Sequence, residues 1–108
     1  MTLVNLPETA RTLPEVWRSV PVTRIANAQL KVERMSGLPL PEESHPTPEA
    51  LLVLEGRLEL SVAGRPVTVR AGEVYTVPAG TVHAVRPGSE GILVILAPAP
   101  EEPAGPPR

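Results

Sequence analysis

The sequence predicts an all-β domain, built as an antiparallel sandwich or barrel. Three observations favour this class. Short segments in which apolar and polar residues alternate recur along the chain, as in strands with one buried face. Glycine and proline turn signals separate these segments at intervals of about eight to twelve residues. No segment shows the period of a convincing amphipathic helix, which excludes a helical bundle.

Residues 1–21 predict an irregular N-terminal arm, because Pro7, Pro14 and Pro21 interrupt any long regular element. The segment from Thr12 to Trp17 can form one short helical turn, with Thr12 at the N-cap and Pro14 in the first turn. The alternative is an arm without a helix that packs Trp17 onto the body of the domain.

Residues 22–97 are predicted to form the barrel. Its expected strands lie within Val22–Met35, Leu51–Leu54, Leu58–Val62, Val67–Arg70, Glu73–Val77, His83–Arg86 and Ile92–Ala97. Gly56 is expected to end the strand before it. The segment from Leu38 to Pro41 is expected to be an extended loop, since its prolines suit neither a helix nor a central strand.

Residues 98–108 predict a disordered or extended tail. This segment holds five prolines and no large apolar side chain, so it has nothing to bury.

Composition excludes several classes of function. A chain of 108 residues is long enough for one hydrophobic core, and without cysteine it has no disulfide, thiolate zinc site or cysteine nucleophile. A net charge of -2 with scattered arginines argues against nucleic acid as a partner. Lys31 is the only lysine, which argues against a Schiff-base enzyme. No apolar run of about 18 residues indicates a membrane span.

Location and host are predicted from the same data. The N-terminus has neither the basic region nor the apolar run of a secretory signal, so cytoplasmic residence is expected. Few amide side chains, many prolines and more arginine than lysine suit a thermophilic host. A GC-rich genome would produce much the same bias.

The two histidines carry the main functional signal. His45 follows Glu43 and precedes Glu49, in a polar stretch that runs into the apolar strand at Leu51. If one strand runs through this stretch, all of these side chains share a face. Convergence of His83 with them at a barrel mouth would create a site suited to Mn, Fe, Zn, Co or Ni. The alternative is that both histidines are ordinary polar residues at the barrel rim.

These stretches resemble the paired motifs of the cupin superfamily. The first motif is G-x5-H-x-H-x3,4-E-x6-G, and His45, Glu49 and Gly56 match its later half. Gly37 lies six positions before Glu43, which is the spacing of the first glycine and the first histidine in the motif. The second and more specific motif is G-x5-P-x-G-x2-H-x3-N, matched at Gly72, Pro78, Gly80 and His83. The resemblance covers roughly residues 30 to 97. Turn chemistry alone also explains the glycines and the proline.

The resemblance implies a cupin-type jelly-roll barrel, commonly a homodimer, with His45, Glu49 and His83 as metal ligands. Two positions depart from the family. Glu43 stands where the first histidine of the motif falls, and Pro87 stands where the terminal asparagine falls. Glu43 is expected to be a fourth ligand because a carboxylate can replace an imidazole.

The leading hypothesis is a metal-dependent protein that acts on, or binds, a small organic molecule inside the barrel. The metal would be Mn, Fe, Zn or Ni, and the reaction would be of oxygenase, isomerase or decarboxylase type. Tyr75 and Met35 are the candidate substrate contacts, with core packing as the alternative. The rival hypothesis is a non-catalytic binding or sensor cupin, with or without a structural metal, which the few acid or base residues near the motifs favour. A barrel that has lost its metal site is the third.

Overall fold

The computed structural model describes residues 3–100, which form one short helix and an antiparallel sheet. The elements, in chain order, are α1 (Leu6–Arg11), β1 (Val20–Ile25), β2 (Ala28–Ser36), β3 (Leu40–Glu43), β4 (Glu49–Val62), β5 (Arg65–Arg70), β6 (Val74–Val77), β7 (His83–Val85) and β8 (Glu90–Pro98). The predicted all-β class is confirmed. In the part of the chain just given, no helix is long and apolar enough to cross a membrane.

The strands pair in the order β1-β2-β8-β4-β7-β3, and β5 and β6 add to β4. Every pairing is antiparallel. The long strand β4 makes this possible, because its first part pairs with β6 and its last part with β5 and β7. One strand thereby connects both ends of the barrel.

The prediction that Gly56 ends a strand is wrong, since β4 continues through it to Val62. Gly56 (φ +79°) lies opposite Gly91 (φ +107°) on β8. A Cβ at Gly56 would collide with the carbonyl oxygen of Glu90, and a Cβ at Gly91 would collide with that of Glu55. Glycine therefore allows the two backbones to approach closely inside the ladder, where the register also shifts.

The helical turn expected from Thr12 to Trp17 is also wrong, because the helix of the arm lies earlier. Asn5 is the N-cap of α1, and its side-chain oxygen accepts a hydrogen bond of 2.9 Å from the Glu8 N–H. Pro7 lies in the first helical turn, where a missing N–H costs nothing. Trp17 packs against the core as in the alternative, and its indole N–H donates to Ser36 Oγ at 2.8 Å.

Two other segments differ from the prediction. Residues 22–35 contain a turn at Ala26 and Asn27, so β1 and β2 form a hairpin. The predicted loop from Leu38 to Pro41 ends inside β3, the last strand of the sheet path, where a proline is tolerated. At the other end β8 extends to Pro98, and the tail prediction for residues 101–108 lies outside the described residues.

The core has two parts on opposite faces of the sheet. The larger part fills the barrel and comprises Met35, Leu51, Val53, Leu58, Leu60, Val62, Val69, Val77, Leu93 and Ile95. The smaller part lies under α1 and comprises Ala10, Val32, Ile92 and Val94. Strand β2 contributes to both parts, with Val32 under the helix and Met35 in the barrel. Side chains in phase with Met35 therefore face the interior.

Candidate metal centre

The four predicted ligands lie at the ends of three strands and in one loop. Glu43 ends β3, Glu49 begins β4 and His83 begins β7. His45 lies in the loop between β3 and β4, so the single continuous strand considered for this stretch does not form. The side chains nevertheless converge, because the loop brings His45 back toward the strand ends.

Glu43, His45 and His83 form a compact cluster in which one donor atom of each lies within 4.8 Å of the others. Glu43 Oε1 lies 2.9 Å from His45 Nε2 and 3.8 Å from His83 Nε2. The two imidazole rings are tilted by 57° with centroids 5.3 Å apart. Glu43, which the family motif does not supply, is thus the residue that contacts both histidines.

Glu49 approaches the cluster from the interior. Its Oε1 lies 3.4 Å from His83 Nε2, although Glu49 does not belong to the group of three mutually close residues. The side chains of His83 and Glu49 are 5% and 17% exposed, whereas those of His45 and Glu43 are 40% and 55% exposed. The four donors therefore span the barrel mouth, from the buried pair to the pair that faces solvent.

Backbone hydrogen bonds and strand register place these side chains. Glu43 and His83 are direct partners across the β3–β7 ladder, which brings their side chains to one face. The Gly80 N–H donates to the His45 carbonyl at 2.7 Å and so ties the loop of His45 to the turn before β7. Gly80 has φ +76°, a conformation that favours glycine. The turn of the second motif thus positions a ligand candidate of the first motif.

The orientation of His83 fits a metal ligand. Its Nδ1 lies 2.9 Å from the Thr81 carbonyl oxygen, which can only accept, so Nδ1 carries the proton. The lone pair of Nε2 then faces the carboxylates of Glu43 and Glu49, which are also acceptors. Such a group of acceptors requires a proton or a cation between them. A ring N–H held by a backbone carbonyl is also the usual support of a metal-bound imidazole.

The cluster opens into a cavity of about 240 Å³ inside the barrel. Apolar side chains form most of its wall, namely Trp17, Leu40, Leu51, Leu58, Leu60, Val85, Leu93 and Ile95. Among the described residues that line it, neither Tyr75 nor Met35 occurs. Tyr75 packs against the barrel core and Met35 is part of it, as in the packing alternative. Their assignment as substrate contacts stays a prediction without a cavity contact.

Two charged residues of β2, Lys31 and Glu33, also line this cavity, and the sequence analysis assigned neither to the site. The expectation of few acid or base groups near the motifs is therefore wrong. Glu33 is 7% exposed, and its burial raises its pKa to about 7. Lys31 opposes this shift, while Glu49 and Glu43 add to it. The available signal was strand parity, since both residues are in phase with the apolar Met35.

Comparison with known proteins identifies the fold. A family model described as Cupin domain (Cupin_2) matches residues 33–97. The structure of a cupin-2 domain containing protein from Shewanella frigidimarina is 24% identical with a TM-score of 0.81, covering 89% of this chain and 94% of the other. A protein from Thermus thermophilus is 26% identical with a TM-score of 0.71, covering 93% and 100%. One from Neisseria meningitidis is 22% identical with a TM-score of 0.78, covering 90% and 99%. A comparison with curated proteins finds no match.

Proposed function

This chain belongs to the cupin domain family, and we propose that it is a metal-binding cupin that holds a small organic molecule in its barrel. The observation that carries the proposal is the convergence of Glu43, His45 and His83 at the mouth of a cavity inside the barrel. Glu49, 3.4 Å from His83, supplies a further carboxylate.

We assign the ligands as His45, His83 and Glu43, with Glu49 as the fourth. His45 Nε2 is hydrogen-bonded to Glu43 Oε1 at 2.9 Å, and a cation at this point would replace the proton of that hydrogen bond. Two imidazoles with one or two carboxylates suit Mn, Fe, Zn or Ni and leave positions open for a ligand. When bound, such an ion supplies Lewis-acid chemistry or, for iron, oxygen chemistry.

The chain's own residues fix the conditions at this site. The hydrogen bond from His83 to the Thr81 carbonyl holds the imidazole in one tautomer and one orientation. The apolar part of the wall lowers the local dielectric constant, which strengthens electrostatic interactions within the cavity. Because Glu33 and Lys31 add a carboxyl and an amine to this wall, groups able to transfer protons are present. This supports the enzyme hypothesis, of oxygenase, isomerase or decarboxylase type, over simple binding.

The volume of the cavity limits the ligand. About 240 Å³ lies below the roughly 300–1,000 Å³ of sites for drug-sized molecules, so a small metabolite-sized compound fits the interior cavity. We retain a homodimer, a cytoplasmic location and a thermophilic host as proposals. Light scattering of the purified protein tests the first, fractionation of the source cells the second and a melting curve the third.

Elemental analysis tests the metal site directly. The protein is purified without chelator or histidine tag, and we expect about one transition-metal ion per chain. The double variant His45→Ala/His83→Ala should lose most of this metal, while circular dichroism should retain the β signal. Stoichiometric metal in the double variant would refute the site. Turnover assays with the metal-loaded parent then separate an enzyme from a binding protein.

A further inference from the structure

The wall of the cavity carries a second polar group of residues that the metal centre does not use. Lys31 and Glu33 lie on β2, whereas the metal-ligand candidates lie on β3, β4, β7 and the loop between β3 and β4. Strand β2 pairs with β1 and β8 and not with β3 or β7, so these two side chains reach the cavity from a different part of the barrel.

Glu33 is more than nine-tenths buried, yet it has no partner within the described residues. Between residues 3 and 100, no side-chain hydrogen bond or ion pair includes Glu33 or Lys31. Buried carboxyl groups are almost always hydrogen-bonded, because an unpaired one costs free energy. The Glu33 carboxyl lines the cavity beside the Lys31 amine, so its hydrogen-bond partner has to come from within the cavity, as water or as a ligand.

Lys31 lies where such a partner would enter. It lines both the interior cavity and an outer depression bounded by the 45–49 segment and by Ala97 to Pro100. Among the described residues that line the interior cavity, Lys31 is the only basic one apart from the two histidines. Lys31 thus presents three hydrogen-bond donors and a positive charge on the entrance side.

We propose that Lys31 and Glu33 form a carboxylate-binding subsite, so that the ligand of this barrel is a small organic acid whose other end reaches the metal centre. The inference rests on the proposed metal function for that other end. Lys31 supplies a positive charge to the carboxylate, and the acid form of Glu33 donates a second hydrogen bond to it. The ligand carboxylate in turn provides the partner that Glu33 lacks.

Charge and protonation support this assignment. The raised pKa of Glu33, about 7, keeps a large share of the group in its acid form near neutral pH. A divalent ion would balance the charges of Glu43 and Glu49, so Lys31 leaves one net positive charge in the cavity when Glu33 holds its proton. A monoanion balances it. The titratable groups that share the cavity with Glu33 are Lys31, Glu43, His45, Glu49 and His83.

The chain contains a reporter for the test. Trp17 is the only tryptophan and lines the same cavity, so its fluorescence reports binding there. The probes are lactate and lactamide, which have nearly the same shape and differ in the carboxylate charge. Manganese affinity is measured first, without any organic acid, for the parent and for each variant. Loss of metal binding counts against the proposed function, and loss of acid binding counts against the subsite.

We expect the manganese-loaded parent to bind lactate at least 10-fold more tightly than lactamide. Lys31→Met and Glu33→Leu should each weaken lactate binding by roughly 10- to 100-fold, the range for a charge-assisted hydrogen bond, with manganese affinity unchanged. Glu33→Gln retains a donor and should stay within about threefold of the parent at pH 6.

Equal affinity of the parent for lactate and lactamide would overturn the subsite, as would parent-like lactate binding by Lys31→Met. Glu33→Gln as weak as Glu33→Leu would show that Glu33 does not act as a donor. If the parent binds no manganese, the titrations are repeated on the metal-free protein. The metal-free parent must still bind lactate more tightly than lactamide. Equal lactate affinity of the metal-free parent and Lys31→Met overturns the proposal.

Discussion

Glu43 and His83 lie directly opposite each other on β3 and β7, with Glu43 Oε1 3.8 Å from His83 Nε2. The same Glu43 oxygen lies 2.9 Å from His45 Nε2, so one carboxylate oxygen contacts both imidazoles. The residue that departs from the family motif therefore occupies the centre of the cluster.

Glu43→Ala should weaken the affinity for manganese by about 10- to 100-fold, because a removed carboxylate takes both charge and a ligand atom away. Glu43→His should shift preference toward Ni, Cu or Zn, since imidazole suits these ions. Calorimetric titration with each metal gives the affinities. Glu42→Ala is the matched control, as that exposed side chain lies outside the cluster. A Glu43→Ala affinity within about twofold of the parent would remove Glu43 from the ligand set.

Glu33→Gln should change how the stability of the metal-free protein depends on pH. The pKa of Glu33 in the folded state is about 7, above the usual value of 4.5, so the folded protein holds this proton more tightly. The stability that protonated Glu33 contributes is fully present below about pH 4.5. The free energy of unfolding then falls by about 3 kcal/mol as pH rises to about 7. Glu33→Gln should lack this loss. Urea unfolding across that window measures it, with Glu42→Gln as the exposed control.

Parallel pH profiles for the parent and Glu33→Gln would contradict a buried carboxyl whose pKa is raised. A parent that gains stability relative to Glu33→Gln as pH rises would show the opposite sign, a carboxylate stabilised by the fold.

Gly91→Ala should be strongly destabilising, because the new Cβ collides with the Glu55 carbonyl of the neighbouring strand. Gly64→Ala is the matched control, since Gly64 also has a positive φ, +81°, but no atom lies within 4 Å of its added Cβ. Gly64→Ala should lower the free energy of unfolding by about 1–2 kcal/mol, for the backbone conformation alone. Gly91→Ala should lower it by at least about 2 kcal/mol more. Similar unfolding free energies for both variants would mean that the strands can separate to accept the methyl group.

Two truncations should differ at the C-terminus. Removing residues 101–108 should shift the melting temperature by little, because these residues contain no large apolar side chain. Removing residues 98–108 should lower it further, since Pro98 pairs with Ala28 and the Ala99 N–H donates to the Asn27 carbonyl at 2.7 Å. Melting curves of both truncations give the comparison. A drop of many degrees for the shorter deletion would show that residues 101–108 contact the barrel.

Local sequence determined the class of fold and most of its strands. Neighbouring residues alone reveal the alternation from Leu58 to Val62, because side-chain direction in a strand repeats every two residues. The glycines at turns are recognised in the same local way. The spacing of Pro78, Gly80 and His83 likewise indicated a family turn that ends in a ligand candidate. These features are local, and the structure retains them.

Long-range contacts decided the rest. Alternation did not reveal which face of β2 is interior, because apolar residues cover both faces and Val32 lies under α1 while Met35 lies in the barrel. The alternation in the sequence therefore did not identify Glu33 as a residue of the site. Glu43 meets His83 only through the register of two strands that are far apart in sequence, and no local pattern encodes that register. The sequence thus determined which residue types are present, and the packing of the barrel decided which of them share one cavity.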